Sequence, residues 1–228
     1  MLDPSSVVWA HGVNSLAALE TALQSEVSFI ESDLGLLIDG ELFCAHVPNQ
    51  VVSDLSFSTL LSSWSQCTRA CGLKIDLKLA CLVSHAAINA IQTSSAVSYP
   101  GPLWVNADVF GSGKKMNITE LETFIGHVSG FSLGILGSDA FEEPEKLISE
   151  VKRFVKSYDF HVSLAMNVHE AAAHVAEVNE IVSSVQGSTV TLWKRKDERI
   201  EKNELTDLLE QLPKDIVYID LYNCRVPE

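Results

Sequence analysis

Short apolar, β-rich runs alternate with amphipathic stretches from one end of this 228-residue chain to the other. That alternation constrains the fold more than any other feature, because strands separated by helices can pair in parallel and antiparallel hairpins cannot use such spacers. Val7–Ala10 reads as a first strand and Ser15–Gln24 as the helix behind it, capped by Ser15 or Asn14. Val27–Asp33 is a second strand, and Asp39-Gly40 a hairpin turn into a short extra strand, Leu42–Ala45. A helix over Phe57–Cys71 is predicted to end at Gly72 as its C-terminal cap. Leu73–Leu79, Leu103–Val109, Phe131–Leu136, His161–Met166, Thr189–Trp193 and Ile216–Leu221 complete eight main strands. Helices are predicted between them at Leu82–Thr93, Ile118–His127, from Glu142-Glu143-Pro144 onward, at Glu170–Val185 and at Lys202–Gln211. The chain shows no linker and no break in composition. The expected fold is one α/β domain over residues 1–228, a single closed (β/α)8 TIM barrel with a short extra hairpin strand after strand 2. A doubly wound open sheet shares the alternation, but its glycine-rich first turn is missing: the first strand runs into His11-Gly12-Val13-Asn14.

Composition narrows the partners. Hydrophobic residues make up 46% of the chain and charged residues 20%, enough to bury a sizeable core. Thirty acidic against sixteen basic residues give a formal charge of −14. A field of that sign repels long nucleic acid and anionic membrane, while a local site can still hold a small phosphorylated molecule. No apolar run is long enough for a transmembrane segment, and no secretory signal precedes the first strand. The five cysteines (Cys44, Cys67, Cys71, Cys81, Cys224) are odd in number and lie mostly in apolar segments. Together these features lead us to expect a cytoplasmic, reduced protein. The tripeptide Asn117-Ile118-Thr119 matches a glycosylation acceptor, which carries little weight without a signal. Cys67 and Cys71 fall on one face of the predicted helix and have no histidine partners for a zinc site.

In a parallel barrel the C-terminal ends of the strands carry the chemistry. Polar residues stand there at alternating spacing: Glu31 and Asp33; Lys74, Asp76 and Lys78; Asn106 and Asp108. Side chains two apart on a strand share a face, so each set points to one side. Inward charges need partners or a metal. One reading is a salt-bridge network of Lys74 and Lys78 with Asp76, Glu31 and Asp33. The other is a hard divalent cation on three carboxylates, Mg2+ or Ca2+ rather than zinc. His11 ends the first strand and His46 the extra strand, flanking the carboxylates as a candidate acid–base couple. His169 lies just past the sixth strand; His85, His127, His161 and His174 lack that setting. Asn106 could donate to a phosphate oxygen or satisfy a carboxylate, and Trp193 and Tyr222 could wall a substrate or simply fill the barrel. Lys194-Arg195-Lys196 reads as a solvated loop, although it is also the obvious place to grip an anion.

Several segments resemble the menorin family: Val7-Val8-Trp9-Ala10-His11-Gly12-Val13-Asn14, Phe29-Ile30-Glu31-Ser32-Asp33, Ala45-His46-Val47-Pro48, Gly72-Leu73-Lys74-Ile75-Asp76-Leu77-Lys78 and Trp104-Val105-Asn106-Ala107-Asp108. Phe131-Ser132-Leu133-Gly134, Thr191-Leu192-Trp193 and Val217-Tyr218-Ile219-Asp220 continue the likeness in order. That family is in turn similar to glycerophosphodiester phosphodiesterases and phospholipase C-like barrels. The resemblance implies His11 and His46 as the acid–base pair, with Lys78 assisting, and Glu31, Asp33 and Asp76 as metal ligands. Asn14, Lys74, Asn106 and Trp193 are the residues expected to face the substrate. The chain departs from the family pattern at Ile135, where tryptophan is frequent, at Val47, where a second proline is frequent, and at Val162-Ser163-Leu164, where an arginine is frequent.

The expected activity is therefore metal-dependent hydrolysis of a small phosphodiester or phospholipid-like substrate. The alternatives are a non-catalytic barrel that binds a phosphorylated or lipid-like ligand, which the lost arginine favours, and a Schiff-base enzyme using Lys74 or Lys78. Substrate identity and oligomeric state have no signature in the sequence.

Overall fold

A computed structural model describes residues 7–78, 81–94, 99–156, 161–195 and 197–220. These residues form nine strands: β1 (Trp9–Ala10), β2 (Phe29–Ile38), β3 (Glu41–Cys44), β4 (Gly72–Leu77), β5 (Leu103–Phe110), β6 (Gly130–Ile135), β7 (His161–Asn167), β8 (Thr189–Trp193) and β9 (Val217–Asp220). Seven α-helices separate them: α1 (Leu16–Gln24), α2 (Phe57–Ser65), α3 (Cys81–Ser94), α4 (Pro144–Lys156), α5 (Val168–Ala173), α6 (Val175–Ser184) and α7 (Lys202–Gln211). The sheet order is β1-β2-β4-β5-β6-β7-β8-β9, with β3 attached to β2. Pairing is parallel for β1–β2, β2–β4, β4–β5, β7–β8 and β8–β9. The order is open from β1 to β9 among the described residues. No helix among them is long and apolar enough to cross a membrane.

Residues 8–107 and 115–131 form one compact body, and residues 108–114 and 132 onward, with Val7, form a second. In the first body, Ser15 caps α1 by accepting from the Ala18 N–H at 3.2 Å, and Ser56 caps α2 through the Thr59 N–H. Helix α2 buries Phe57, Leu60, Leu61 and Trp64, the i, i+3, i+4, i+7 stripe of an amphipathic helix. Every residue of β4 and β5 is buried, as expected of parallel strands covered on both faces. The Asp39-Gly40 hairpin forms as expected, with positive φ at both residues (50° and 84°), and β3 runs antiparallel to β2. In the second body, α4 buries Leu147, Ile148, Val151 and Phe154.

Several expected elements differ. Helix α2 stops at Ser65 rather than Cys71. The chain leaves it so that the Trp64 indole donates to Cys71 O at 2.8 Å and the Arg69 guanidinium reaches Ala22 O and Val27 O, carbonyls at the end of α1 and just before β2. Cys67 and Cys71 thus share no helix face, and both are free thiols. Gly72 is no helix cap but the first residue of β4, where an added Cβ would lie 2.4 Å from the Phe29 ring. The segment Ile118–Phe124 is a 3-10 helix, because its buried residues Ile118, Leu121 and Phe124 recur every third position. The predicted helix over 170–185 begins at Val168 and breaks at His174, which ends α5, begins α6 and stacks on Phe141 at 4.7 Å. Strand β1 is only two residues long, and β2 continues to Ile38 as the first arm of the hairpin.

Register sets the site. In the first body Glu31 on β2 faces Lys74 on β4, Asp33 faces Asp76, and Asp76 faces Asn106 on β5. Paired residues at one level project to the same side of the sheet, so three strands deliver their polar side chains together.

Candidate metal centre and acid–base site

One oxygen from each of Glu31, Asp33 and Asp76 lies within 4.8 Å of the others, and the three residues are 1%, 3% and 8% exposed. Each carboxylate is held from a different direction. Glu31 Oε2 accepts from the Gly12 N–H at 2.7 Å and lies 3.7 Å from His11 Nδ1. Asp33 Oδ2 accepts from Asn14 Nδ2 at 2.6 Å, while Asn14 Oδ1 accepts from the Asp33 N–H at 3.0 Å and from Ser32 Oγ at 3.2 Å. The Asn14 side chain is thus occupied with the Asp33 segment. The Asn14 backbone carbonyl in turn accepts from Gln50 Nε2 and Ser53 Oγ, which ties the β1–α1 turn to the loop after β3. The Lys78 ammonium bridges Asp33 Oδ1 at 2.9 Å and Asp76 Oδ2 at 2.6 Å. Asp76 Oδ1 is buried with no hydrogen-bond partner among the described residues. An orphaned carboxylate oxygen is costly, and it is what a coordinating cation would relieve. The donor set, all carboxylate, fits a hard ion such as Mg2+ or Ca2+.

The histidines differ in setting. His11 is partly buried against Glu31, with 22% of its side chain exposed. His46 is exposed, and its backbone N–H is clipped by Gln50 Oε1 at 3.3 Å. Its segment passes close over β2 because residue 35 is glycine: a Cβ there would lie 2.6 Å from Val47 and 3.2 Å from both Ala45 O and Lys78 Cβ. The register of β2 against β3 also shifts between Leu34 and Leu36, the kind of bulge that re-aims a strand beside a site. The Lys74 ammonium lies 4.8 Å from the centroid of the Trp9 ring, which packs on Phe29 and through it on Trp104.

Electrostatics follow from this crowding. Burial pushes the Glu31 carboxyl up to about 7, aided by the charges of Asp33 and Asp76 and opposed by His11 and Lys74. Burial also favours the neutral form of Asp76, but the Lys78 ammonium outweighs it and holds that carboxyl below the usual range. Burial disfavours the charged form of Lys78, yet Asp76, Asp33 and Glu31 hold its ammonium well above the usual lysine range. A lysine so firmly protonated is the reverse of an activated Schiff-base nucleophile.

Comparison with known proteins decides the family. The Menorin N-terminal domain matches residues 3–224. The chain belongs to the menorin family. Among solved structures, a protein described as a glycerophosphoryl diester phosphodiesterase from Agrobacterium tumefaciens superposes with a TM-score of 0.59 at 11% identity, over 92% of this chain and 91% of that one. A glycerophosphodiester phosphodiesterase from the same organism gives 0.56 at 13% identity, over 94% of each chain. Likeness at such identities concerns the fold, and it bears out the (β/α)8 class expected from the alternation.

In this menorin chain Asn106 is buried beside Asp76, and Trp193 ends β8 in the second body, half-buried. Tyr222, Cys224, Lys196 and the last residue of the expected eighth strand, Leu221, lie outside the described residues. The expected solvated loop is not uniform: Lys194 is buried, and its ammonium donates to Glu198 O at 3.2 Å and weakly to Arg195 O. Glu198 accepts from Asn167 and from the Arg195 N–H, folding the loop back on the end of β7. Sequence reasoning gave no role to Gly12, Gln50, Ser53 or the Trp9 platform. Their contributions are a peptide N–H, two clips to a carbonyl and a ring under an ammonium, none of which has a residue-type signature. A groove of about 790 Å3 between the hairpin and helices α2 and α3 is lined by none of the candidate site residues.

Proposed function

We propose that this chain is a metal-dependent phosphodiesterase, acting as one phosphodiesterase-like domain over residues 1–228 and using histidine acid–base catalysis. The observation that carries the reading is the buried Glu31–Asp33–Asp76 cluster with an unpartnered Asp76 oxygen, set beside His11. The fold shared with proteins named for phosphodiester hydrolysis supports it. Glu31, Asp33 and Asp76 would hold Mg2+ or Ca2+, which would polarise a phosphoryl oxygen and ease deprotonation of a hydroxyl nucleophile.

The chain's own groups do the remainder. One of His11 and His46 takes the proton of the attacking hydroxyl, and the other protonates the leaving oxygen. Lys78, held as an ammonium between two carboxylates, offers positive charge to the phosphate. Lys74 and Asn106 face the same side. Asn14 orients Asp33, and we assign it a positioning role, with any substrate contact secondary. Trp193 is proposed as an apolar residue facing the substrate. The acidic chain selects small phosphodiesters or phospholipid-like molecules over long polyanions. A reducing, cytoplasmic setting is part of the proposal, and it rests on an odd number of cysteines that lie mostly in apolar segments.

The test is hydrolysis of bis(p-nitrophenyl) phosphate and a small phosphodiester panel with Mg2+, Mn2+, Ca2+ or EDTA, alongside His11→Ala. Metal-dependent turnover that His11→Ala removes is the expected result. A second reading, a non-catalytic barrel binding a phosphorylated or lipid-like ligand, draws on β7. There Val162, Ser163 and Leu164 are all buried and supply no cation where the family pattern has arginine. Saturable metal binding without turnover on any panel member would favour that reading.

A further inference from the structure

We propose that Asn106 Oδ1 is a fourth protein oxygen on the cation held by Glu31, Asp33 and Asp76. The inference rests on the metal reading above and extends it to a residue that the sequence pattern cast as a phosphate donor.

Asn106 lies on β5, 6% exposed, in register with Asp76 on β4, which is itself in register with Asp33 on β2. The three side chains therefore stand at one level on one side of three adjacent strands. The amide NH2 is directed at the Asp76 carboxylate, where it helps hold the anion. Asn106 Oδ1 remains, buried and with no hydrogen-bond partner among the described residues. Asp76 Oδ1 beside it is in the same condition. Two neighbouring buried acceptors without a donor are a local deficit of positive charge, and Lys78 does not fill it, since its ammonium contacts Asp33 Oδ1 and Asp76 Oδ2. A phosphate donor would present an unpartnered N–H, whereas the unpartnered atom here is a carbonyl oxygen. Amide carbonyls are ordinary ligands of hard cations, and a neutral one completes the shell without adding to the repulsion among three carboxylates. A cation with a flexible, oxygen-rich shell suits that set better than one demanding several retained waters, which favours Ca2+ over Mg2+.

The experiment is titration of the full chain with Ca2+ by calorimetry and with Tb3+ by luminescence, for the parent protein, Asn106→Ala and Asn106→Asp. Luminescence lifetimes in H2O and D2O count the waters left on bound Tb3+. Asn106→Ala is expected to weaken both ions by about ten- to a hundredfold and to add about one water to Tb3+. Asn106→Asp keeps an oxygen in place and is expected to restore the parent water count and affinity. If Asn106→Ala destabilises the fold, as circular dichroism would report, the water count of Asn106→Asp carries the test. Parent affinity and water count in Asn106→Ala overturn the inference alone. Loss in Asn106→Asp equal to that in Asn106→Ala also overturns it, because the NH2 group would then be what matters. A parent chain with no saturable Ca2+ or Tb3+ binding overturns the metal reading itself.

Discussion

Two buried polar regions of this chain are built on opposite principles. At the ends of β2, β4 and β5, three carboxylates and a lysine crowd together, and two acceptor oxygens, Asp76 Oδ1 and Asn106 Oδ1, are left without donors. On β7 and β8, neutral buried side chains pair with one another: Ser163 Oγ with Thr191 Oγ1 at 2.7 Å, Thr189 Oγ1 with His161 Nε2 at 3.0 Å. Tyr218 is fully buried with its ring edge-on to His161. On β6 one hydroxyl, Ser132 Oγ, finds no partner among the described residues, but an orphaned hydroxyl costs far less than an orphaned charge. The neutral pairs of the second region satisfy one another, as in a structural interior. The first is over-supplied with negative oxygen and needs a cation from outside to balance it.

The sharpest break in this contrast comes from Asp33, which touches Asn14, Lys78 and the proposed ion at once. Asp33→Ala is expected to abolish saturable Ca2+ binding in calorimetry and to lower phosphodiester turnover by about 10^3-fold or more, the scale of losing metal assistance plus positioning. Turnover within tenfold of the parent would remove Asp33 from the site. Asn14→Ala is the milder version. It leaves all three carboxylates but frees Asp33, so metal affinity should fall by about ten- to a hundredfold. Thermal unfolding should report about 1–3 kcal/mol from the unsatisfied buried groups. An Asn14 variant with lost turnover but parent metal affinity would make the residue a substrate contact instead of a positioning one.

The two regions also answer pH with opposite signs. Glu31 titrates near 7 in the folded, metal-free chain against an ordinary 4.5. Between those values the native state keeps a proton the unfolded chain has released, so stability falls as pH rises through the window. His161, in the other region, is pushed down by burial to about 4 against an ordinary 6.5. There the unfolded chain binds the extra proton, so stability is lost as pH falls from 6.5 toward 4. Denaturant titrations of metal-free protein from pH 4 to 8 should show both slopes. Glu31→Gln should remove the decline toward pH 7 and leave the acid-side loss. Saturating Ca2+ should reverse the Glu31 contribution, because the ion holds the carboxylate ionised, and binding at pH 6 should release a proton, visible as a buffer-dependent enthalpy. A slope toward pH 7 that persists in Glu31→Gln would assign it elsewhere.

The first region was far more legible in the sequence than the second. Glu31, Asp33, Asp76 and Lys78 stand at period-two spacing near strand ends, and charge at an inward barrel position has few innocent explanations, so the pattern alone brought them together. The alternation likewise foretold the (β/α)8 class, Asp39-Gly40 the hairpin, and the pair Asn14-Ser15 the start of α1, where the structure makes Ser15 the cap. Helix ends were read less well, for physical reasons. The end of α2 is set by where Arg69 must go to reach two carbonyls, and Gly72 by the ring of Phe29 from another strand. Both are contacts distant in sequence. The roles of Gly12 and Gln50 rest on backbone groups and a long-range clip, which no residue pattern encodes. The hydroxyl pairs of β7 and β8 are invisible for a different reason: Ser163 and Thr191 at buried strand positions read like any small filler.

That invisibility makes the smallest prediction the cleanest control. Thr191→Val is nearly isosteric but leaves the Ser163 hydroxyl buried without its 2.7 Å partner, so stability should drop by about 1–3 kcal/mol. Ser163→Ala in the same background removes the orphan, and the double variant should recover most of that loss, because replacing both partners by apolar groups of similar shape is close to neutral. Neither change should alter Ca2+ affinity or turnover. The same double-mutant logic applied at Lys78 and Asp76 should fail, since removing both still leaves Asp33, Glu31 and Asn106 short of positive charge. A Ser163–Thr191 cycle without recovery would show that the second region, too, depends on more than its own pairs.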